Sequence, residues 1–416
     1  MTTVVLGAGI VGVTTAYYLA RLGDEVIVVD RQPAVGLETS FANGALVTVS
    51  MSDPWAAPGI PALILKHLGR EDAPFLLRPR ALPAMVGWGP RFLRNCTPAR
   101  WRENTETILH LAVYSRDALK EVTAETGIAY DHCDRGTLRV YPNAASLAKA
   151  TKGAQIYREL GQPAELLDAD GCIALEPALE PVKHKLAGGM HYTGDLSGDC
   201  LRFTQSLALE AEKRGVGFRF RTEVTGFETD GRTVTAVRTD QGLIGGARFV
   251  LACGSHSSIL ARLLNIRLPV LPVKGYSLTL PVGGWNNAPA LPIIDDHRKI
   301  AVTPLGERIR LAGTAEFTGF DTTPNLRRAD MLMGAFKALF PNYPKSGEVQ
   351  HWQGLRPMTP DGRPILGRTR YSNFYLNTGH GPLGWTLACG SAKALADLMS
   401  DGRPQLDLSG FSADRF

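Results

Sequence analysis

Nowhere does this chain run to the roughly 20 consecutive apolar residues that a membrane-spanning helix needs, so no span is expected. Cysteine is scarce and dispersed: Cys96, Cys133, Cys172, Cys200, Cys253 and Cys389, with no C-x-x-C pair. That spacing gives neither a metal centre nor a disulfide framework, and buried free thiols are expected instead. No low-complexity tract marks a disordered tail. The first strand-like run begins almost at residue 1, leaving no room for a cleavable export signal, so a cytoplasmic location is expected. With 44% hydrophobic and 20% charged residues the composition is ordinary for a globular protein, and 416 residues allow two or three domains.

Acidic residues are nearly missing from one stretch. Between Pro54 and Arg102 only Glu71 and Asp72 oppose Lys66, Arg70, Arg78, Arg80, Arg91, Arg94, Arg100 and Arg102. Eight bases against two acids leave +6 there, in a chain whose total is +5, so the remainder is close to neutral. The charge is too local for a nucleic-acid face, and no stacking platform accompanies it. The same stretch holds Pro54, Pro58, Pro61, Pro74, Pro79, Pro83, Pro90 and Pro98, which predict short, kinked helices rather than long regular elements. Trp55, Phe75, Trp88, Phe92 and Trp101 lie among them. Basic and aromatic residues together suit the surface of an anionic membrane, where tryptophan favours the boundary with water. A kinked lid with buried aromatics is the alternative.

What is present is concentrated at the two ends. Val4-Val5-Leu6 leads into Gly7-Ala8-Gly9-Ile10-Val11-Gly12, then a helical run, then Glu25–Val29 and Asp30. Strand, G-x-G-x-x-G turn, helix, strand and terminal acid follow the order of a dinucleotide-binding βαβ unit. Gly7 permits the tight turn, Gly9 admits a pyrophosphate, and Gly12 lets helix and strand pack closely. The helix N-terminus attracts the phosphates, and Asp30 is spaced to accept from a ribose diol. The spacing G-x-G-x-x-G recurs only at Gly379–Gly384, where no strand with a terminal acid follows to complete a second dinucleotide-binding βαβ unit, which argues for one dinucleotide rather than two.

Near the other end, Thr378-Gly379-His380-Gly381-Pro382-Leu383-Gly384 opens the last predicted helix, Leu383–Ser400. Its free N–H groups are placed to stabilise negative charge on a bound ring system. Before it, Gly354-Leu355-Arg356-Pro357 presents Arg356 rigidly, and a guanidinium fork suits a carboxylate. An internal Asp partner for Arg356 is the plainer reading. Tyr276, in Lys274-Gly275-Tyr276, suits either a carboxylate contact or simple packing, and Lys274 faces either the cofactor or solvent. His380 is a candidate base or a residue kept for shape.

Between the ends, the periodicity predicts a helix over Thr105–Glu125 and strands around Thr137–Tyr141 and Lys185–Tyr192. A helix over Leu201–Arg214 precedes a β-meander and the strand Phe249–Gly254. Strands then dominate residues 270–316, followed by a helix over Arg328–Phe340. The fold expected is α/β plus α+β: a Rossmann-like nucleotide domain interleaved with an antiparallel-sheet substrate domain. Residues 1–50, 185–265 and 350–416 are assigned to the first, 51–184 and 266–349 to the second.

These segments, with Glu38-Thr39-Ser40, Ala42-Asn43, Pro54-Trp55-Ala56-Ala57-Pro58-Gly59, Gly198-Asp199-Cys200 and Asn377–Ser391, carry a resemblance running from end to end. The chain resembles the FAD-dependent D-amino-acid oxidase/glycine oxidase superfamily, and within it the bacterial D-amino acid dehydrogenases. The resemblance implies FAD, with pyrophosphate at Gly7, Gly9 and Gly12 and ribose at Asp30 beside Arg31. It implies flavin contacts from Thr39, Ser40, Asn43 and Gly44, and an adenine-side contact at Val224. Gly254 closes the second nucleotide turn, and Gly379, Gly381, Leu383 and Gly384 lie against the flavin ring. It assigns Arg356 to the carboxylate of a D-amino or D-imino acid, with Tyr276 and His380 nearby. The activity implied is oxidative deamination to a 2-oxo acid and ammonia, by hydride transfer to flavin N5. Electrons then go to a quinone or other respiratory acceptor, with contact at the cytoplasmic face of the inner membrane. An oxygen-using oxidase of glycine, sarcosine or D-proline-type substrates is the alternative.

Overall fold

The computed structural model describes residues 1–416 except 68, 72, 74, 345, 346, 401 and 402. Asp72 and Pro74, counted above in the basic stretch, therefore lie outside the described residues.

The opening strand, Thr2–Leu6, is buried on both faces and occupies the middle of a six-stranded sheet. Its neighbours are Glu25–Val29 and Arg248–Leu251, both parallel; Gly217–Arg219 and Phe374–Thr378 extend the sheet in parallel. Ile365–Arg368 closes one edge antiparallel. Alternation sends Val5, Val28 and Val250 to one face, under the helices Ile10–Arg21, Cys200–Lys213 and Gly384–Met399. Val4, Leu6 and Phe249 face the other way, onto the meander Val224–Thr229, Val234–Thr239 and Gly242–Gly245. This is the Rossmann-like half, with its ligand edge at the carboxyl ends of the parallel strands.

The second sheet, nine strands among the described residues, is mostly antiparallel. It begins Gln350–Met358, Leu271–Pro281, Arg308–Phe317, Ile300–Leu305 and continues through Ile293–Asp295, Thr137–Tyr141, Gly188–Tyr192 and Glu165–Leu167. Two assignments shift here. The strands Gly188–Tyr192 and Gln350–Met358, expected in the nucleotide part, pair within this second sheet. The run expected as one strand from Lys185 begins instead with a 3-10 helix, Pro177–Lys185, before Gly188 starts the strand.

The proline-rich stretch is more regular than its composition predicts. The helix Ile60–His67 and short strand Phe75–Leu77 lead to a 14-residue helix, Leu82–Asn95. Pro83 sits in its first turn, where no N–H is needed. Pro90 lies inside it, but Val86 and Pro90 are exposed, so water can reach the carbonyl left unpaired. Thr97 then caps a 29-residue helix, Pro98–Thr126, accepting from the Arg100 N–H at 3.4 Å. Proline at the first helical position starts this helix earlier than Thr105, where apolar periodicity alone begins it.

Candidate active site

One continuous cavity of about 1020 Å³ runs from the βαβ turn, past the last helix, to the second sheet. At its nucleotide end Gly7 has φ +106°, and a Cβ there would lie 2.7 Å from the Ala252 carbonyl oxygen. A Cβ on Gly12 would lie 1.8 Å from the Gly7 carbonyl oxygen, so Gly12 closes the turn without itself bordering the cavity. Gly9, Val224 and Gly254 do border it. The Asp30 carboxylate accepts from the N–H groups of Ala8 at 2.6 Å and Gln32 at 2.8 Å. Burial raises its pKa, and these two bonds oppose the shift. Arg31 pairs with Glu38 at 2.7 Å and its Nη2 lies 3.2 Å from His256 Nε2. Glu38 and His256 were not singled out as site residues, because only the fold brings them to the acid strand.

The loop 38–44 is fastened to both halves. Ser40 Oγ accepts from the Ile10 N–H at 3.0 Å, at the start of the first helix. On the other side, Ser277 Oγ donates to the Ala42 carbonyl at 2.6 Å, Arg310 to the Asn43 carbonyl at 3.0 Å, and Thr303 Oγ1 to the Gly44 carbonyl at 2.9 Å. Thr39 Oγ1 and Ser255 Oγ both donate to the Leu355 carbonyl, at 2.9 and 3.1 Å. The loop is thus held against the strand that carries Arg356.

At the last helix, His380, Gly381, Leu383 and Gly384 border the cavity, whereas Gly379 does not. Gly379 takes φ +75°, and a Cβ on it would crowd Thr359. His380 is fully enclosed, with Nε2 3.1 Å from Ser391 Oγ. Burial pushes its pKa down to about 3, so it is neutral throughout the working range. The consequence for stability has a definite sign. The unfolded imidazole takes up its proton as pH falls below its ordinary value near 6.5, while the folded one resists until about 3. Stability from this residue is therefore present above about pH 6.5 and is lost progressively as pH falls toward 3. Thermal melts of His380→Asn should show a shallower loss of Tm between pH 6.5 and 4 than the parent protein. An unchanged slope would remove His380 from the acid response.

Arg356 is the exceptional side chain. It lies in the strand Gln350–Met358, borders the cavity, and its guanidinium has no carboxylate partner among the described residues. Nη1 donates to the Thr314 carbonyl at 3.0 Å, and the Trp55 ring centre lies 5.9 Å from Cζ. Burial alone pushes its pKa down to about 10, so the cation persists at neutral pH. Its bed is bare backbone: Gly275 faces Gly354 across the two strands. A Cβ on Gly275 would lie 2.3 Å from the guanidinium carbon, and one on Gly354 2.1 Å from the Trp352 ring. A glycine inside a strand pattern is a signal of close approach, and Gly275 stands directly before Tyr276.

Tyr276 also borders the cavity, but its side chain points the other way. Val273 is in register with Arg356, so Val273, Gly275 and Arg356 share one sheet face and Tyr276 takes the opposite one. Its hydroxyl donates to Glu316, and its ring packs in the core with Leu278 and Phe336. Lys274 faces neither cofactor nor solvent; it is buried, 3.4 Å from Glu316 and donating to the Thr323 carbonyl at 2.9 Å. Glu316 also receives Arg78 at 2.8 Å, which ties the Phe75–Leu77 strand to the sheet.

Over Arg356 lies the proline-rich stretch. Trp88 and Phe92 stack at 4.9 Å, are 5% and 8% exposed, and cluster with Val273, Ala315 and Met358. Trp88 Nε1 donates to the Met358 carbonyl at 3.1 Å. These aromatics roof the cavity and do not lie on the outer surface.

The cavity therefore has a glycine turn at a helix N-terminus, a half-buried acid for a diol, a second helix N-terminus at Gly381–Gly384, and beyond it a cation with no carboxylate partner among the described residues. Gly7 and Gly12 leave no room for side chains inside the turn, and Gly9 presents bare backbone to the cavity, which fits an FAD-sized dinucleotide. The comparisons agree. The family described as FAD dependent oxidoreductase (DAO) matches residues 2–398. A D-amino acid dehydrogenase of Agrobacterium fabrum is 46% identical over 416 residues, covering 100% of both chains. One of Cereibacter sphaeroides is 46% identical over 100% of this chain and 95% of its own. Among solved structures, L-proline dehydrogenase from P. horikoshii superposes with a TM-score of 0.79 at 19% identity, over 100% of this chain and 97% of that one. Glycine oxidase from Geobacillus kaustophilus gives 0.78 at 20%, over 100% and 98%; at such identities the likeness is one of fold. Cradle and relatives together make the chain a member of the FAD-dependent oxidoreductase (DAO) family.

Proposed function

We propose that this chain oxidises D-amino acids to imino acids, which water converts to 2-oxo acids and ammonia, and that its electrons pass to a membrane quinone. The observation that carries the reading is Arg356: a half-buried cation, without a carboxylate partner among the described residues, at the far end of a cofactor-sized cavity. The D configuration rests on the curated relatives. Gly7, Gly9, Asp30, Ser40, Asn43, Gly44 and Gly381–Gly384 would hold FAD, which when bound supplies a two-electron acceptor. Arg356 binds and orients the substrate carboxylate through a charge-assisted fork. Trp55, Trp88 and Phe92 keep water away from it, which strengthens that attraction. His380 stays neutral and shapes the turn rather than moving a proton. The test is anaerobic bleaching of the yellow protein by D-amino acids, followed by quinone reduction. No bleaching with any D-amino acid would sink the reading, and stoichiometric peroxide would replace the quinone with oxygen.

The acceptor side is supported by the outer face of the lid. Leu82, Val86 and Leu93 are 51%, 76% and 51% exposed, and Leu65 on the preceding helix is 75% exposed. Arg80, Arg91 and Arg94 lie exposed on or beside the same helix, whose inner face carries Trp88 and Phe92. The membrane contact thus falls on aliphatic residues rather than the tryptophans expected from composition. Each arginine near an anionic leaflet contributes about 1 kcal/mol. Val86→Asp should lose flotation with phosphatidylglycerol vesicles and slow quinone reduction, while reduction of a water-soluble dye stays unchanged. Equal flotation of variant and parent would dismiss this face.

A further inference from the structure

The strand pair under Arg356 contains a distortion that packing alone does not explain. Lys274 is in register with Glu316 and Tyr276 with Gly313, so Thr314 and Ala315 together oppose the single residue Gly275. This is a β-bulge, a device that re-aims a group beside a site. At the bulge Thr314 takes φ +55°, a left-handed conformation that a β-branched residue adopts only under strain. Glycine would relieve that strain, and none is there. The distorted backbone turns the Thr314 carbonyl onto Arg356 Nη1 at 3.0 Å. Its hydroxyl Oγ1 is buried and has no hydrogen-bond partner among the described residues. Thr314 borders the same cavity as Arg356, Gly275 and Trp55. A strained backbone and a buried donor, both at one residue beside a cation, the donor and the cation each without such a partner among the described residues, make the pattern of a binding subsite.

We propose that Thr314 is the second arm of the carboxylate subsite, an inference that rests on the reading of Arg356 as the carboxylate anchor. The carbonyl fixes one edge of the guanidinium and leaves Nε and Nη2 for the incoming carboxylate. The hydroxyl donates to that carboxylate as well. Substrates are thereby selected for a planar carboxylate held by three donors. A single-charge group of other shape, such as an alkyl sulfonate, leaves the hydroxyl badly placed.

The test uses the FAD-loaded enzyme and propionate, the amine-less counterpart of alanine, titrated calorimetrically, with thermal melts alongside. Thr314→Ala and Thr314→Gly should raise the propionate Kd about 10-fold or more, the worth of a hydrogen bond to a charged group. Thr314→Ser should stay within about 2-fold, and the KM for D-alanine should follow the Kd while kcat moves less. Thr314→Gly should at the same time raise Tm by about 1–2 °C, because the strain is released. A purely structural threonine predicts the Tm gain with no change in Kd, and that result overturns the proposal. Thr314→Ser binding as weakly as Thr314→Ala overturns it too. Arg356→Ala separates the two levels. If Arg356→Ala weakens propionate and Thr314→Ala does not, only the role of Thr314 falls. If Arg356→Ala leaves propionate binding intact, the anchor reading falls and takes this one with it.

Discussion

Arg356→Ala is expected to lower kcat/KM for D-amino acids by about 100- to 1000-fold, with bound FAD and its absorbance unchanged. Breaking a buried charged pair costs about 3–5 kcal/mol, and each 1.4 kcal/mol is a factor of ten, so the expected loss lies at or above this range. The mechanism is direct: the substrate carboxylate would enter a roofed, largely apolar chamber and meet no cation. Arg356→Lys should rescue little. An ammonium cannot reproduce the planar fork, and the flat bed at Gly275 is shaped for a guanidinium lying on it. Measured at saturating substrate, kcat should fall less than kcat/KM, because Arg356 serves chiefly in binding. Activity within a few-fold of the parent would show that the carboxylate is held elsewhere.

Gly12→Ala should produce a nearly colourless protein. The added Cβ would sit 1.8 Å from the Gly7 carbonyl oxygen and 2.8 Å from its carbon, and backbone has no rotamer by which to retreat. Overpacking of this kind costs about 1–3 kcal/mol or more and opens the turn on which the pyrophosphate rests. Flavin per polypeptide should fall below about one tenth of the parent's, with a lowered Tm, since a cofactor that binds only the folded state also stabilises it. Gly9→Ala is the companion variant. Its Cβ meets nothing closer than Ser40 Oγ at 3.4 Å, yet Gly9 borders the cavity. The apoprotein should therefore keep its Tm while FAD binds more weakly. A yellow Gly12→Ala protein with the parent's flavin content would refute the close-packed turn.

The two ends of the chain were legible for a physical reason: their information is local. Gly7, Gly9, Gly12 and Asp30 are fixed by one turn and one strand, and the glycines before the last helix by another turn. Tyr276 shows where local reading stops. Period-2 alternation says that Gly275 and Tyr276 face opposite ways, but only the register of Val273 with Arg356 says which face is the site. The bulge at Thr314 exists only in the pairing of Arg308–Phe317 with Leu271–Pro281, which no local pattern announces. His380 was legible as a member of the turn and illegible as an acid or base, because its protonation depends on burial that sequence does not show. In the proline-rich stretch composition suggested the surface and periodicity would have served better. Met85, Trp88 and Phe92 follow helical spacing on the inner face, and Leu82, Val86 and Leu93 on the outer.

The Leu355 carbonyl accepts from Thr39, in the cofactor loop, and from Ser255, beside the second nucleotide turn. It belongs to the residue immediately before Arg356. Two clamps from the cofactor cradle therefore converge one peptide away from Arg356, so a substitution that loosens either cradle loop reaches the guanidinium through a single shared acceptor.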